Sequence, residues 1–216
     1  MESVSWNWAA VQERAMWEEP AEESHYLAYR WKRDGRRRVL DLGCGLGRHS
    51  LLLARAGLAV DAYDLSADAV REVESRARAD RLDLRVRHGD MHDLPYEDGT
   101  FDCVVAFHVI YHTDRPGLER ILSEIRRVLA PGGELFVTLN SAASPQLCDP
   151  RFRRIAANMV VKTEGAEAGI PHIYLTEAEV KELMSGWTIA LFHHKEEIGP
   201  DWRGTHYFVL AEKPRG

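Results

Sequence analysis

The feature that most constrains this chain is a glycine-rich turn between a short apolar run and a segment with helical spacing. Residues 39–42, Val-Leu-Asp-Leu, lead directly into Gly-Cys-Gly-Leu-Gly at 43–47, and residues 47–56 continue with apolar side chains at helical intervals. Glycines in such a turn adopt backbone angles that other residues avoid, and they let a ligand approach the main chain closely. The pattern predicts a strand–turn–helix unit whose turn binds a ligand.

Strand and helix signals alternate along the next hundred residues. A capping Ser66 opens a charged helix that ends near residue 80, and a continuous apolar run at 101–107 is typical of a strand buried on both faces. The remaining signals predict strands at 60–63, 84–86 and 134–139, a helix at 116–129, a helix with a capping box at Thr176 and Glu179, and a closing antiparallel hairpin at 187–194 and 205–212. This order predicts an α/β fold with a doubly wound, mostly parallel sheet, whose ligands bind beyond the carboxyl ends of the strands.

The spacing of the glycines favours one class of ligand over another. The turn has Gly-x-Gly-x-Gly, whereas a pyrophosphate at a helix N-terminus favours Gly-x-Gly-x-x-Gly. Asp41 precedes the first glycine by two residues, and a carboxylate there would repel a pyrophosphate but suit a cationic amino-acid group. The glycine spacing and Asp41 therefore disfavour a dinucleotide-linked oxidoreductase, which ranks third among the functions considered.

Two further polar positions follow the next predicted strands. Asp64 ends the second strand, where a carboxylate can accept hydrogen bonds from ribose hydroxyls, and Gly89-Asp90-Met91 follows the third. An aspartate after a strand is usually a turn former or a helix cap. The conjunction of all three positions after consecutive strands is what indicates a nucleoside-like ligand.

These motifs resemble those of the class I S-adenosylmethionine-dependent methyltransferases, in particular the broad small-molecule group. The resemblance covers roughly residues 38–140 and lies in VLDLGCGLGRHS at 39–50, VDAYDLS at 60–66, GDMHDLPYEDGTFDCVVAFHVIYH at 89–112 and RVLAPGGELFVT at 127–138. It implies a Rossmann-like, seven-stranded sheet whose last strand runs antiparallel, with helices on both faces. It also implies S-adenosylmethionine as the cofactor.

The resemblance assigns roles to residues of the motifs. Gly43, Gly45 and Gly47 would line the methionine portion with Asp41 near its amino group, Asp64 would hold both ribose hydroxyls, and Asp90 and Met91 would frame adenine. His108 would follow the fourth strand near the methionine end. The neighbouring motif residues Cys44, Leu65 and His92 complete the predicted cofactor-binding set.

A weaker resemblance covers the C-terminal part. GIPHIYLTEAEVKELMSGW at 169–187 is similar to the tellurite-resistance methyltransferases, but the long segment at 140–168 departs from those small enzymes. We predict a single domain with four parts, which are a helical cap at 1–35, a cofactor-binding core at 36–140, a substrate-side excursion at 141–175, and a closing helix and hairpin at 176–216.

The composition limits which binding partners and which cellular compartment we expect for this protein. A chain of 216 residues with a formal net charge of −6 has no electrostatic footprint for nucleic acid or an anionic membrane. We find neither a membrane-spanning stretch nor a signal peptide, and the three cysteines lack paired or metal-ligand spacing, so we expect a cytoplasmic protein. The ten histidines show no ligand set with sensible spacing, so no metal is predicted. Either a monomer or a homodimer is compatible with the sequence.

The predicted function is methyl transfer to a small-molecule acceptor, mainly by alignment of the reactants. The candidate catalytic residues are His108, Tyr111, His172 and Tyr174. Since no buried acid–base pair is visible, we expect an acceptor whose nucleophile needs little deprotonation. The alternatives are a protein or RNA methyltransferase and a non-catalytic S-adenosylmethionine-binding regulatory protein.

Overall fold

A computed structural model describes residues 3–11, 14–199 and 203–215 of the chain. Parts of the predicted cap and of the hairpin turn, at residues 1–2, 12–13 and 200–202, lie outside the described residues, as does residue 216. The strands are β1 (Arg38–Leu42), β2 (Ala59–Asp64), β3 (Leu84–His88), β4 (Phe101–Ala106), β5 (Leu129–Asn140), β6 (Arg153–Ala156), β7 (Met159–Val161), β8 (Pro171–Ile173), β9 (Thr188–Ile198) and β10 (Arg203–Glu212). The helices are α1 (Ala15–Glu18), α2 (Glu22–Arg33), α3 (Arg48–Arg55), α4 (Ala67–Ala79), α5 (Arg115–Val128) and α6 (Glu177–Leu183), with short 3-10 helices at Trp8–Ala10, Pro145–Cys148 and Gly165–Glu167.

The main sheet has seven strands in the order β3-β2-β1-β4-β5-β10-β9. Strands β1 to β5 pair in parallel, whereas β10 pairs antiparallel with both β5 and β9. The predicted α/β fold, with a doubly wound sheet and an antiparallel last strand, is therefore confirmed. The order reverses between β1 and β4, which places a crevice at the carboxyl ends of these two strands.

Alternation along the central strands divides the core into two layers. Val104 and Ala106 of β4 belong to a hydrophobic cluster with α5 and α6, whereas Cys103 and Val105 face a second cluster with α2 and α3. Successive side chains of a strand point to opposite faces, so a strand covered by helices on both sides is apolar throughout. This explains the continuous apolar run seen in the sequence.

Side-chain caps start the helices where the sequence predicts them. Ser66 Oγ accepts a hydrogen bond from the backbone N–H of Ala69, and Thr176 and Glu179 form a reciprocal capping box. Helix α5 begins at Arg115, where Asp114 accepts from the N–H of Gly117.

A buried ionic contact fixes α2 to the sheet. Trp31 is completely buried, and its indole N–H donates to the carboxylate of Glu134 on β5 over 2.8 Å. The same carboxylate pairs with Arg30, and with Arg36 at 3.3 Å. Helix α2 therefore packs on the sheet as part of the core.

The segment at 141–175 contains structure that the sequence analysis did not find. Strands β6, β7 and β8 form a separate three-stranded antiparallel sheet. Each of these strands has only three or four residues, too few to show a period-two pattern. None of the helices in the described part of the chain is long and apolar enough to cross a membrane.

Candidate active site

A cavity lies at the carboxyl ends of β1, β2 and β4, beneath the N-terminal segment. It holds about 890 Å³ of space, including its open mouth. Its wall contains eight of the residues predicted to bind cofactor, which are Gly43, Cys44, Gly45, Asp64, Leu65, Asp90, Met91 and His108. The strand ends thus bring together most of the predicted set at one place.

The glycine turn is held in a shape that side chains would obstruct. The backbone N–H groups of Gly43 and Cys44 donate to the carbonyl of Tyr63 at the end of β2, over 2.7 and 3.1 Å. Gly43 has φ of +68°, and a Cβ there would overlap the side chain of Val109. The lack of a side chain at Gly43 therefore lets Val109 pack directly on the main chain of the turn.

Asp64 is a fixed hydrogen-bond acceptor on the cavity wall. One carboxylate oxygen accepts from the N–H of Gly45 over 2.8 Å, and the other accepts from the N–H of Ser66 over 2.7 Å. Burial raises the pKa of this carboxyl, and the two backbone N–H groups oppose that rise. Each oxygen keeps a further lone pair, so the group can receive two hydroxyl donors side by side.

Asp90 is oriented by the residue that was predicted beside it. Its carboxylate accepts from the backbone N–H of His92 over 2.9 Å and lies 2.7 Å from Nδ1 of the same residue. Burial alone would raise the pKa of Asp90, but the hydrogen bonds from His92 and Ser3 hold it below its usual value. His92 itself does not line the cavity, and its ring lies against Asp90.

Asp41 and Gly47, also predicted to contact the cofactor, lie behind the wall. Asp41 is 1% exposed, and its carboxylate accepts a hydrogen bond of 2.5 Å from Ser50 Oγ on α3. Burial raises the pKa of Asp41 to about 6. Gly47 precedes α3 with φ of +82°, and a Cβ there would lie 2.8 Å from Val73. Both residues serve the packing of α3 in this structure.

Three tryptophans close one side of the cavity. The rings of Trp6, Trp8 and Trp17 form a cluster with centroids 4.7 to 6.1 Å apart. Trp8 lies against the glycine turn, since a Cβ on Gly45 would be 2.7 Å from its ring. Its indole N–H is buried without a hydrogen-bond partner among the described residues.

His108 occupies a constrained position where β4 ends. Its φ is +54°, and its backbone N–H donates to Thr138 Oγ1 over 2.6 Å. A non-glycine residue in this region is strained, which is common at functional sites. Burial and the neighbouring His206 lower the pKa of His108 to about 3, so the imidazole on the cavity wall is neutral.

The other predicted catalytic residues lie beneath the wall. Tyr111, His172 and Tyr174 are at most 5% exposed and do not line the cavity. Burial raises the pKa of both phenols, so they are neutral. The cavity wall instead contains His112, whose ring centroid lies 4.7 Å from that of His172.

The sequence shows no buried acid–base pair, but the structure forms two carboxylate–histidine pairs outside the cavity wall. Glu167 lies 2.8 Å from Nε2 of His172, and Glu197 lies 2.5 Å from Nδ1 of His206. Burial would raise the pKa of each carboxyl, but the histidines beside it hold that pKa well below its usual range. In the observed hairpin Glu197 and His206 lie diagonally on one face of adjacent strands, but the predicted first strand, 187–194, ended before Glu197.

Comparison with known proteins matches residues 39–133 to a family described as a methyltransferase domain. The chain is 34% identical over 149 residues to a sterol 24-C-methyltransferase of Schizosaccharomyces pombe, which covers 65% of this chain and 38% of that protein. It is 38% identical over 120 residues to a ubiquinone biosynthesis O-methyltransferase of Caulobacter vibrioides, covering 51% of this chain and 47% of the relative. The chain thus spans less than half the length of these curated relatives.

A solved structure shares the fold. It is the 1,6-didemethyltoxoflavin-N1-methyltransferase of Burkholderia thailandensis with bound 1,6-didemethyltoxoflavin and S-adenosylhomocysteine, at a TM-score of 0.69 and 20% identity. The match covers 93% of this chain and 82% of that one. The three proteins are named for methylation at carbon, oxygen and nitrogen, so the likeness does not extend to one acceptor atom.

Proposed function

Because the chain carries a methyltransferase domain of the class I, S-adenosylmethionine-dependent family, we propose that it transfers a methyl group from that cofactor to a small-molecule acceptor. The observation that carries the proposal is the carboxylate of Asp64, held by the N–H groups of Gly45 and Ser66 on the wall of the cavity. This arrangement presents two acceptor oxygens beside the glycine turn, which suits a ribose diol.

The residues present fit S-adenosylmethionine. Asp64 would hold the ribose hydroxyls, and Leu65, Asp90 and Met91 would frame the adenine. Trp8 lines the same cavity and would pack beside the cofactor. When bound, S-adenosylmethionine supplies a methyl group that its sulfonium charge already activates.

The protein's own contribution is mainly alignment. Holding two reactants in a reactive geometry can contribute about 7–11 kcal/mol. The glycine turn and Asp64 are rigidly hydrogen-bonded, and His108 is fixed by Thr138 with its imidazole neutral at the far end of the cavity. The tryptophan cluster excludes water from the side of the glycine turn.

The charge of the protein argues against a nucleic-acid acceptor. The cavity is bordered by the carboxylates of Asp64 and Asp90 and by the guanidinium of Arg48. Two carboxylates against one guanidinium, together with a net charge of −6, do not suit a nucleic-acid backbone. We further propose a cytoplasmic monomer or homodimer, and the three free cysteines support a reducing compartment.

The proposal is tested by transfer of a labelled methyl group. The purified chain is incubated with methyl-labelled S-adenosylmethionine and, separately, with a panel of small hydroxyl, thiol and amine compounds, with total protein and with RNA. We expect label in one or more small molecules, and a much lower rate for Asp64→Asn than for the matched surface variant Asp93→Asn. Labelling of protein or RNA alone would contradict the small-molecule acceptor, and tight cofactor binding with no transfer to any arm would favour a regulatory role.

A further inference from the structure

A cluster of two histidines and one glutamate adjoins the cavity at its His108 end. His112 lies on the cavity wall, His172 is on β8, and Glu167 is in the 3-10 helix that precedes β8. One Glu167 oxygen lies 2.8 Å from Nε2 of His172 and 3.6 Å from Nε2 of His112. One ligand atom from each of the three side chains lies within 4.8 Å of the other two.

The ring of His172 faces an acceptor with each of its two nitrogens. Its Nδ1 lies 3.1 Å from the backbone carbonyl of Ile170, and its Nε2 lies 2.8 Å from the carboxylate of Glu167. A neutral ring carries one proton, so it can donate to only one of these acceptors. The tautomer with its proton on Nδ1 leaves the Nε2 lone pair free to bind a cation beside Glu167.

His112 faces the same carboxylate oxygen with an unsatisfied nitrogen. Its side chain is 8% exposed, and Nε2 has no hydrogen-bond partner among the described residues. A buried polar atom without a partner is uncommon and requires an explanation. A cation bound between Glu167 and His172 would satisfy this nitrogen as well.

We propose that His112, Glu167 and His172 bind one divalent transition-metal ion of the zinc type. Zinc binds imidazole nitrogen and carboxylate oxygen at about 2.0–2.2 Å, so tetrahedral ligand atoms lie about 3.3–3.6 Å apart. The 3.6 Å separation between Glu167 and His112 lies at the upper end of that range, whereas the 2.8 Å separation between Glu167 and His172 would have to lengthen to reach it. Two histidines and one carboxylate leave a fourth position open, as in catalytic zinc sites.

The outer contacts of the cluster suit a metal site of moderate affinity. The carbonyl of Ile170 fixes the tautomer of His172, which is the usual outer partner of a ligating imidazole. Lys162 pairs with the second oxygen of Glu167 and leaves the first one for the ion. Because the ammonium repels a cation, we expect micromolar rather than nanomolar binding.

The second His–Glu–His cluster does not require an ion. Nδ1 of His206 lies 2.5 Å from the carboxylate of Glu197 and can donate to it directly, and Nδ1 of His108 lies 3.2 Å from Thr138 Oγ1. Unlike His112, neither of these histidines has a buried nitrogen without a hydrogen-bond partner among the described residues. His206 is therefore the matched control for the proposed site.

The open position gives the site a chemical role, which rests on the proposed function. Because His112 lies on the cavity wall, an oxygen or sulfur of the acceptor can enter the fourth position. A bound ion lowers the pKa of a hydroxyl or thiol that coordinates it, and the proton leaves to solvent. Alcohols, phenols and thiols are thus the acceptor class that this site would favour.

The test uses the metal alone, so its result does not depend on methyl transfer. The full chain is freed of metal with a chelator and titrated at pH 7.5 with Co²⁺, followed by displacement with Zn²⁺. We expect one Co²⁺ per chain, a visible absorption band of a four- or five-coordinate ion, and loss of the band when zinc is added. Removal of a direct ligand should weaken binding by at least about 100-fold, which is the upper range for loss of an outer partner.

The variants locate the ion. Glu167→Gln and His172→Gln should bind Co²⁺ at least about 100-fold more weakly than the wild type. His206→Gln should bind Co²⁺ within about twofold of the wild type. Circular dichroism and thermal melts check folding, and His112→Gln replaces His172→Gln if the buried variant does not fold. The proposal is overturned if no band forms, if binding is equal in the ligand variants, or if His206→Gln also loses it. Retained S-adenosylmethionine binding in such a case would leave the proposed function intact.

Discussion

Replacing Asp41 with asparagine should change how the stability of the protein depends on pH. Asp41 lies on β1 and faces α3, is 1% exposed, and receives its hydrogen bond from Ser50. Burial raises the pKa of the carboxyl from 3.8 to about 6. The amide side chain introduced by Asp41→Asn would keep an oxygen for Ser50 but would carry no charge at any pH.

The magnitude follows from the difference between the folded and unfolded pKa. One pKa unit corresponds to about 1.4 kcal/mol, so a rise from 3.8 to about 6 amounts to about 3 kcal/mol. Between these values the folded wild type holds a proton that the unfolded chain has released, so its free energy of unfolding falls as pH rises. The Asp41→Asn variant has no carboxyl at this position, so its free energy of unfolding does not fall for this reason. Its stability relative to the wild type should therefore increase by about 3 kcal/mol from about pH 4 to about pH 7.

Urea denaturation of both proteins across this range measures the effect. The cost of burying the new amide does not vary with pH. It shifts the difference in free energy of unfolding by the same amount at every pH, so the slope of that difference with pH is what tests the raised pKa. A difference in stability that does not vary with pH would refute the assignment of a raised pKa to Asp41. A variant that loses stability relative to the wild type as pH rises would show that the sign is wrong.

Two further predictions concern the N-terminal part of the chain. Glu134→Gln should lower the free energy of unfolding by about 3 kcal/mol, because Arg30, Arg36 and the indole of Trp31 would lose a buried carboxylate partner. Urea denaturation measures this change, and an unchanged midpoint would contradict the prediction. If residues 1–35 form a cap that orders on the cofactor, saturating S-adenosylhomocysteine should slow chymotryptic cleavage at Trp6 and Trp8, whereas equal rates with and without ligand would count against the cap.

The sheet and the glycine turn could be predicted from the sequence because their determinants are local. Strand runs, caps and turn glycines each lie within a few residues of one another, and parallel strands bring their carboxyl ends to one edge. That geometry is why Asp64 and Asp90 lie near the glycine turn, as predicted. The position of Asp41 was harder to predict, since its side chain faces Ser50 only because α3 packs on that side of β1.

The histidine clusters could not be predicted in the same way. Glu167 approaches His112 only through the small sheet of β6 to β8, whose strands are too short to produce a pattern. His108 follows β4 and contacts His206 of β10, a strand that is distant in sequence. Contacts of this kind depend on the tertiary packing of the excursion and the hairpin, and single-residue patterns do not carry that information.

Calorimetry of cofactor binding tests the central claim most directly. S-adenosylmethionine should bind the wild type in the micromolar range, and NAD should not bind. Asp64→Ala should lose charge-assisted hydrogen bonds of about 1.5–3 kcal/mol, which lowers affinity by roughly tenfold to a hundredfold, while Asp93→Ala should bind as the wild type does. Tight binding of NAD without S-adenosylmethionine, or full affinity in Asp64→Ala, would contradict the account.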